Sequence, residues 1–140
     1  MGLRRKSREL ALQFLFSHDF QDGFQPEKSL EEDFAMFCAL YEVGKKYQPY
    51  GLHLIQGIRQ SVSDIDKLLA EHSHHWRVER MSSVDRNILR IAVYEMLHVA
   101  DAPGQVAINE ALEIAKRYSI DDSVSFINGI LDAVQSSLTR

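Results

Sequence analysis

The sequence predicts an all-α protein of six to seven helices, and two observations support that fold class. Apolar residues recur at helical spacing along nearly the whole chain, and no segment shows the sustained alternation of apolar and polar residues that marks a strand. The prolines Pro26, Pro49 and Pro103 fall between the apolar runs, where connections are expected.

The first half of the chain is predicted to hold three helices. The first runs from about residue 3 to 19, and its inward face carries Ser7, Leu10, Ala11, Phe14, Leu15 and His18. The second spans about residues 29–46, with Ser29 as its N-cap and Glu32 at the capping-box position. Pro49 separates it from a third helix at about residues 50–71.

The second half is predicted to hold the remaining helices. Ser82 or Ser83 caps the fourth, at about residues 84–100, whose apolar residues cover more than one face. This distribution predicts a central helix that is the most buried of the set. The connection at residues 102–104 ends it, and two further helices follow.

The last helix has an outer face that is unusual for a solvated helix. Phe126 and Gly129 stand where Lys or Glu is expected, opposite a stripe of apolar residues, namely Val124, Ile127, Leu131, Val134 and Leu138. Glycine costs roughly 1 kcal/mol against alanine inside a helix, so a compensating contact is expected. Close packing on another helix of the same chain and docking of an external partner both satisfy this pattern.

The charge of the chain is unevenly distributed. The formal net charge is -4, yet cations crowd the start of the chain as Arg4, Arg5, Lys6 and Arg8. An acidic protein can therefore still present a local basic field. The single Cys38 excludes an internal disulfide, and no apolar run resembles a secretory signal or reaches membrane-spanning length, so a cytoplasmic protein with no membrane association is expected.

Motifs for catalysis or cofactor binding are missing from the sequence. It contains no Gly-x-Ser-x-Gly elbow, phosphate-binding glycine loop or dinucleotide fingerprint, so we expect no enzyme activity and no cofactor. His72 and His75 share a helical face beside Trp76, but no third ligand stands at a recognisable spacing, and a solvated segment is favoured over a metal site. Cys38 is interpreted as a small buried side chain, and Glu95 as a structural carboxylate rather than a tuned acid.

The outer face of the first helix suits RNA. A cationic start runs into a polar and aromatic end along Arg5, Lys6, Glu9, Gln13, Phe16 and Phe20. Cations neutralise phosphates, an amide can bond a base edge, and aromatic rings stack on unpaired bases. The alternative is a solvated helix end with Phe16 packed against a neighbouring helix.

Three blocks in order resemble the NusB family of bacterial transcription antitermination factors. They are residues 8–15 (RELALQFL), residues 85–95 (DRNILRIAVYE), and residues 106–116 (VAINEALEIAK) continuing through Asp122 to residues 126–131 (FINGIL). The resemblance covers nearly the whole chain. It implies one RNA-binding domain over residues 1–140, built as two packed three-helix halves at about residues 1–76 and 77–140.

The resemblance also implies a function without a reaction. Proteins of this family bind the boxA sequence of single-stranded nascent RNA together with NusE, which is also a small-subunit ribosomal protein. The complex joins RNA polymerase and other Nus factors to suppress termination, especially in ribosomal RNA operons. No cofactor or metal is implied.

Site residues carry over by position. The family's arginine-rich RNA-binding segment is represented by Arg4, Arg5, Lys6 and Arg8. Positions at or beside the RNA surface are taken by Gln13, Phe16, Asp122 and Phe126. The block that resembles the RNA and NusE contact region contains Asp85, Arg86 and Arg90, assigned here to partner binding. Phe16 stands where the family often has tyrosine, and residues 19–50 fit no motif, so the acidic second helix is expected to be peripheral.

Two other functions remain open at this stage. NusB-like domains also occur fused to RNA methyltransferases as regulatory domains, although 140 residues leave no room for a cofactor-binding domain after Leu138. A helical interaction module without RNA binding would leave the N-terminal cations without a role. A homodimer is also open, because the strip around Phe126 and Gly129 and the aromatic end of the first helix could be self-complementary.

Overall fold

The structure is a computed structural model that describes residues 2–19, 29–73 and 77–138. Within these ranges the chain forms α-helices and no strand, which confirms the all-α prediction. The helices are α1 (Leu3–Asp19), α2 (Leu30–Leu40), α3 (Gln48–His72), α4 (Ser83–His98), α5 (Gly104–Tyr118) and α6 (Asp121–Leu138). In the same ranges, no helix is long and apolar enough to cross a bilayer.

The residues group into two compact units, Met1–Arg59 and Gln60–Arg140, called here the N-terminal and C-terminal units. The division falls inside α3, whereas the sequence placed the boundary of the two halves near residue 76. Pro49 also lies within α3, in its first turn, rather than before it. A proline is tolerated there because its missing N–H has no helical acceptor at that position.

The core of the N-terminal unit is built on Phe14. Its ring meets Phe34 and Phe37 of α2 edge to face, with centroids 5.6 and 5.4 Å apart. Edge-to-face pairs place a positive ring edge on a negative ring face, which favours this geometry. The predicted inward face of α1 is confirmed, because all six of its residues are buried.

The second helix differs from its prediction in two ways. It is not peripheral, because Leu30, Phe34 and Cys38 are buried in the core of the unit. It also ends at Leu40, six residues before the predicted end at 46. Its acidic residues occupy the first turn, where they complement the helix dipole rather than mark a solvated helix.

The early end of α2 is a Schellman motif. The N–H of Val43 donates to the carbonyl of Cys38, and the N–H of Glu42 donates to that of Ala39. Glu42 adopts the left-handed conformation that this motif requires, with φ of 53°. Apolar spacing continues past Leu40 and hides this stop, because the residue at the left-handed position is not the usual glycine. At the other end of α2, the Ser29 hydroxyl accepts the N–H of Glu32, as the predicted N-cap requires.

The C-terminal unit packs α4, α5 and α6 against one another. Both predictions for α4 hold: Ser82 is its N-cap, accepting the Asp85 N–H at 3.1 Å, and its buried residues lie on more than one face. Glu95 is 1% exposed on this helix, as a structural carboxylate would be. The helix therefore supplies the fixed frame on which the ends of α5 and α6 are positioned.

Candidate nucleic-acid interface

The start of α1 presents cations at the end of the helix that disfavours them. Arg4, Arg5 and Lys6 lie in the first turn, which contains no acidic residue; Arg4 and Arg5 are half-buried and Lys6 is exposed. The N-terminus of a helix carries a partial positive charge, so cations there add to the existing field. This arrangement costs stability and creates a site suited to an anion such as phosphate.

The fourth predicted cation behaves differently. Arg8 is only 4% exposed, so its guanidinium lies within the folded unit. Glu9, predicted on the outer face, is also buried. The accessible phosphate-binding candidates of α1 are therefore Arg4, Arg5 and Lys6, and Arg8 is suited to a structural role.

The accessible face of α1 continues from Lys6 to Gln13 and Phe16. Gln13 is exposed, and Phe16 keeps 37% of its surface accessible, so it is not buried by a neighbouring helix. Phe16 lies ten residues after Lys6, a separation of about 15 Å along the helix axis. A cation, an amide and an aromatic ring thus follow one another over a length that accommodates several nucleotides.

A pocket in the C-terminal unit brings together the two other predicted RNA residues. It has a volume of about 310 Å³, and Phe126 and Ile120 line it together with Met81. Arg80 and Asp122 are exposed polar residues of the same pocket. The pocket therefore pairs apolar walls with one cation and one carboxylate that solvent or a ligand can reach.

Asp85 lies on the inner side of this pocket and is engaged within the unit. Its carboxylate accepts the hydroxyl of Ser119 at 2.5 Å and that of Ser123 at 2.6 Å. It is 8% exposed. These bonds tie the start of α4 to the junction of α5 and α6, and so fix the turn from which Asp122 and Phe126 project. The geometry supports a positioning role for this residue.

The other predicted partner-binding residues are also anchored within the unit. Arg90 forms a bidentate ion pair with Asp66, at 2.9 and 2.8 Å, and donates to Asn87. Arg86 donates to the Val78 carbonyl at 3.4 Å. Arg86 and Arg90 are half-buried and line a groove of about 470 Å³.

The outer strip of α6 is open. Gly129 is exposed, and among the described residues a methyl group built on its Cα would meet nothing within 4 Å beyond its own helix. Close packing of another described helix on Gly129, one of the two explanations left by the sequence, is therefore not seen.

The sequence also named two groups outside these surfaces that could react or bind a metal, namely the histidine segment and Cys38. In the described residues no cluster of His, Cys, Asp and Glu could hold a metal ion, while His75 and Trp76 of the metal candidate lie outside those residues. Cys38 is buried as predicted, and burial raises the pKa of its thiol above the ordinary value of 9.0. An inaccessible neutral thiol is a poor nucleophile.

Sequence reasoning missed the segment that lies against the start of α1. Residues Lys45–Tyr47 form a 3-10 turn, and Tyr50 follows in α3. The Arg4 guanidinium lies 4.5 Å from the centre of the Tyr50 ring. A Lys-Lys-Tyr run near a basic helix was the available signal, but no local pattern shows that residues about forty positions apart meet.

Comparisons with known proteins agree with the fold and with the sequence blocks. The model of the NusB family matches residues 5–136. The transcription antitermination protein NusB of Desulfosudis oleivorans is 48% identical over 139 residues, covering 99% of this chain and 88% of that protein. A solved structure of T. maritima NusB matches with a TM-score of 0.82 at 38% identity, covering 95% of this chain and 90% of that one.

A more distant match concerns the fold alone. A solved complex of the antitermination factors NusB and NusE with dsRNA contains a chain that matches with a TM-score of 0.79 at 22% identity, covering 96% of this chain and 97% of that one. The family model, in contrast, spans most of the sequence at the level of residues. The chain therefore belongs to the NusB family.

Proposed function

We propose that this protein is a transcription antitermination factor that binds boxA-type single-stranded RNA together with NusE, in the bacterial cytoplasm and without catalysing a reaction. The observation that carries the proposal is the accessible face of α1, where three cations lead to an amide and an aromatic ring. The relatives' role in antitermination supports it. Association with RNA polymerase and other Nus factors belongs to the same proposal.

The face of α1 is suited to single strands because its parts address different portions of a nucleotide. Arg4, Arg5 and Lys6 neutralise phosphates, which gives affinity without sequence preference. Gln13 can bond a base edge, and Phe16 can stack on a base that is not paired. In the C-terminal unit, Phe126 offers a second ring beside an accessible pocket.

The first experiment measures binding to boxA-like RNA, to a scrambled strand and to a boxA duplex, each with and without NusE. We expect preference for the boxA strand and tighter binding with NusE, because two proteins on one RNA gain effective concentration. Replacing Arg4, Arg5 and Lys6 with glutamine should lower the salt slope of binding by about 2, at about 0.7 per lost phosphate contact. Equal affinity for all three RNAs, or indifference to NusE, would contradict the proposal.

A second experiment tests Asp122 and Phe126, which line the pocket of the C-terminal unit. Asp122 is exposed in the first turn of α6, so Asp122→Asn should cost only about 0.3 to 1 kcal/mol of helix-dipole stabilisation. Removing its charge lessens repulsion of phosphates, and we expect RNA affinity to be preserved or increased. Phe126→Ala is the contrast, since loss of a stacking ring costs about 1 to 3 kcal/mol per base. Weaker binding by Asp122→Asn at unchanged stability would show that the carboxylate accepts hydrogen bonds from a base.

The exposed side of α6 at Gly129 is the proposed contact surface for a protein partner. NusE is the partner we favour, and a second copy of this chain is the alternative. Sedimentation of the protein alone and with NusE separates the two, because a homodimer sediments as such without NusE.

A further inference from the structure

A cluster of cations and tyrosine rings forms where the start of α1 meets residues 45–50. The buried Ser7 hydroxyl donates to the carbonyl of Tyr47 at 3.0 Å and so fixes this segment on α1. The ammonium groups of Lys6 and Lys46 lie 5.5 and 5.2 Å from the centre of the Tyr47 ring. Lys45 is exposed beside them.

The rings allow cations from distant parts of the sequence to gather at one place. Like charges at this spacing repel one another, and the face of an aromatic ring offsets part of that repulsion. Arg4 is held over Tyr50 in the same way, so the cationic start of α1 and the lysine pair form one basic surface. A chain with a formal net charge of -4 thus concentrates positive charge at one place, which indicates an anionic ligand.

We propose that Lys45, Lys46 and Tyr47 form a second RNA-contacting element, which binds phosphates of nucleotides that flank the boxA-type site. The inference rests on the proposed function and extends it. Lys6 belongs both to the accessible face of α1 and to the Tyr47 contact, so an RNA strand leaving that face passes directly onto the lysine pair. Single-stranded RNA supplies both phosphates for the lysines and bases for any exposed ring surface.

The test compares lysine pairs that change the charge equally. In one variant Lys45 and Lys46 become glutamine, and in the control Lys67 and Lys116, exposed lysines of the C-terminal unit, become glutamine. Affinity for boxA-like RNA with flanking nucleotides is measured from low to moderate salt. We expect the first variant to bind at least roughly threefold more weakly at low salt, with a salt slope reduced by about 1.4, while the control keeps the wild-type slope.

Tyr47 provides a readout that a purely structural role would not produce. Tyr47→Phe keeps the ring and should keep RNA affinity, whereas Tyr47→Leu keeps apolar bulk, loses the ring and should weaken binding at an unchanged melting temperature. Both variants are measured on short boxA-like RNA as well. Binding of the short RNA should change less than binding of the flanked RNA, because the cluster is assigned to flanking nucleotides.

The outcomes separate this inference from the function on which it rests. If the Lys45 and Lys46 variant keeps wild-type affinity and salt slope while wild-type protein still prefers boxA-like RNA, the second element is refuted and the proposed function stands. If the control variant loses as much affinity as the first, the effect is one of overall charge and the inference is also refuted. If wild-type protein binds neither boxA-like nor scrambled RNA, both proposals fail.

Discussion

Removing the Asp85 carboxylate should destabilise the protein strongly, even though the residue is not part of an apolar core. Its two oxygens accept hydroxyl hydrogen bonds from Ser119 and Ser123, at 2.5 and 2.6 Å. Asp85→Ala leaves both hydroxyls without this acceptor and removes the acid from the first turn of α4. The perturbation therefore breaks the connection between the start of α4 and the junction of α5 and α6.

The magnitude follows from the burial of the two donors. A hydrogen bond to a charged group contributes about 1.5 to 3 kcal/mol. Ser123 is buried, so its bond belongs near the upper figure, whereas Ser119 is half-buried and regains water more readily. Adding about 0.3 to 1 kcal/mol for the helix dipole gives a total loss of roughly 3 to 5 kcal/mol.

Urea and thermal unfolding of Asp85→Ala, followed by circular dichroism, measure this loss. For a chain of 140 residues the expected fall in melting temperature is about 9 to 20 °C, at about 3 to 4 °C per kcal/mol. A double-mutant cycle with Ser123→Ala should give a coupling free energy of about 1 to 3 kcal/mol. Asp64→Ala, which removes an exposed carboxylate from α3, should stay within about 0.5 kcal/mol of wild type.

The same experiment tests whether Asp85 acts by positioning or by direct contact. A residue that only contacts a partner would lose NusE or RNA binding on substitution while stability stayed near that of Asp64→Ala. A destabilisation below about 1 kcal/mol, or a cycle without coupling, would refute the hydrogen-bond argument.

Three further predictions concern single positions. Glu42→Gly should raise the free energy of unfolding by up to about 1 kcal/mol in urea titrations, because the left-handed conformation with φ of 53° strains any residue with a Cβ. Gly129→Ala should add about 1 kcal/mol of stability by the same assay, since the new methyl meets no described residue outside its own helix within 4 Å. Weaker binding of NusE at this higher stability would assign the exposed side of α6 at Gly129 to that partner. Cys38 should react with a thiol reagent in the folded protein far more slowly than in urea. Burial raises the pKa of the Cys38 thiol above 9.0, so its contribution to stability is complete below the pKa of the unfolded thiol and is lost as pH rises through the folded value. Between pH 8 and pH 10 the wild type should therefore lose more unfolding free energy than Cys38→Ala. The same pH dependence for both proteins would contradict this.

The sequence by itself determined what depends on neighbours within about one helical turn. The helical class, the limits of α1 and the caps at Ser29 and Ser82 follow from 3.6-residue periodicity and from side chains that bond their own helix. The basic start of α1 and the ring of Phe16 were also found, because composition on one helical face requires no knowledge of distant residues. The end of α2 was missed, because Glu42 occupies a position that glycine usually marks.

The tertiary structure decided the role of each polar residue, since burial and long-range partners are not encoded locally. Arg8 and Lys6 were both predicted to be N-terminal cations of the RNA-binding segment, but in the structure Arg8 is buried and Lys6 is exposed. Asp85 was predicted as a partner contact, and only the tertiary structure shows that its carboxylate also accepts hydrogen bonds from two hydroxyls 34 and 38 residues away. Many small apolar contacts together decide which side of each helix is buried. The contact of Lys6 with the Tyr47 ring follows from that packing.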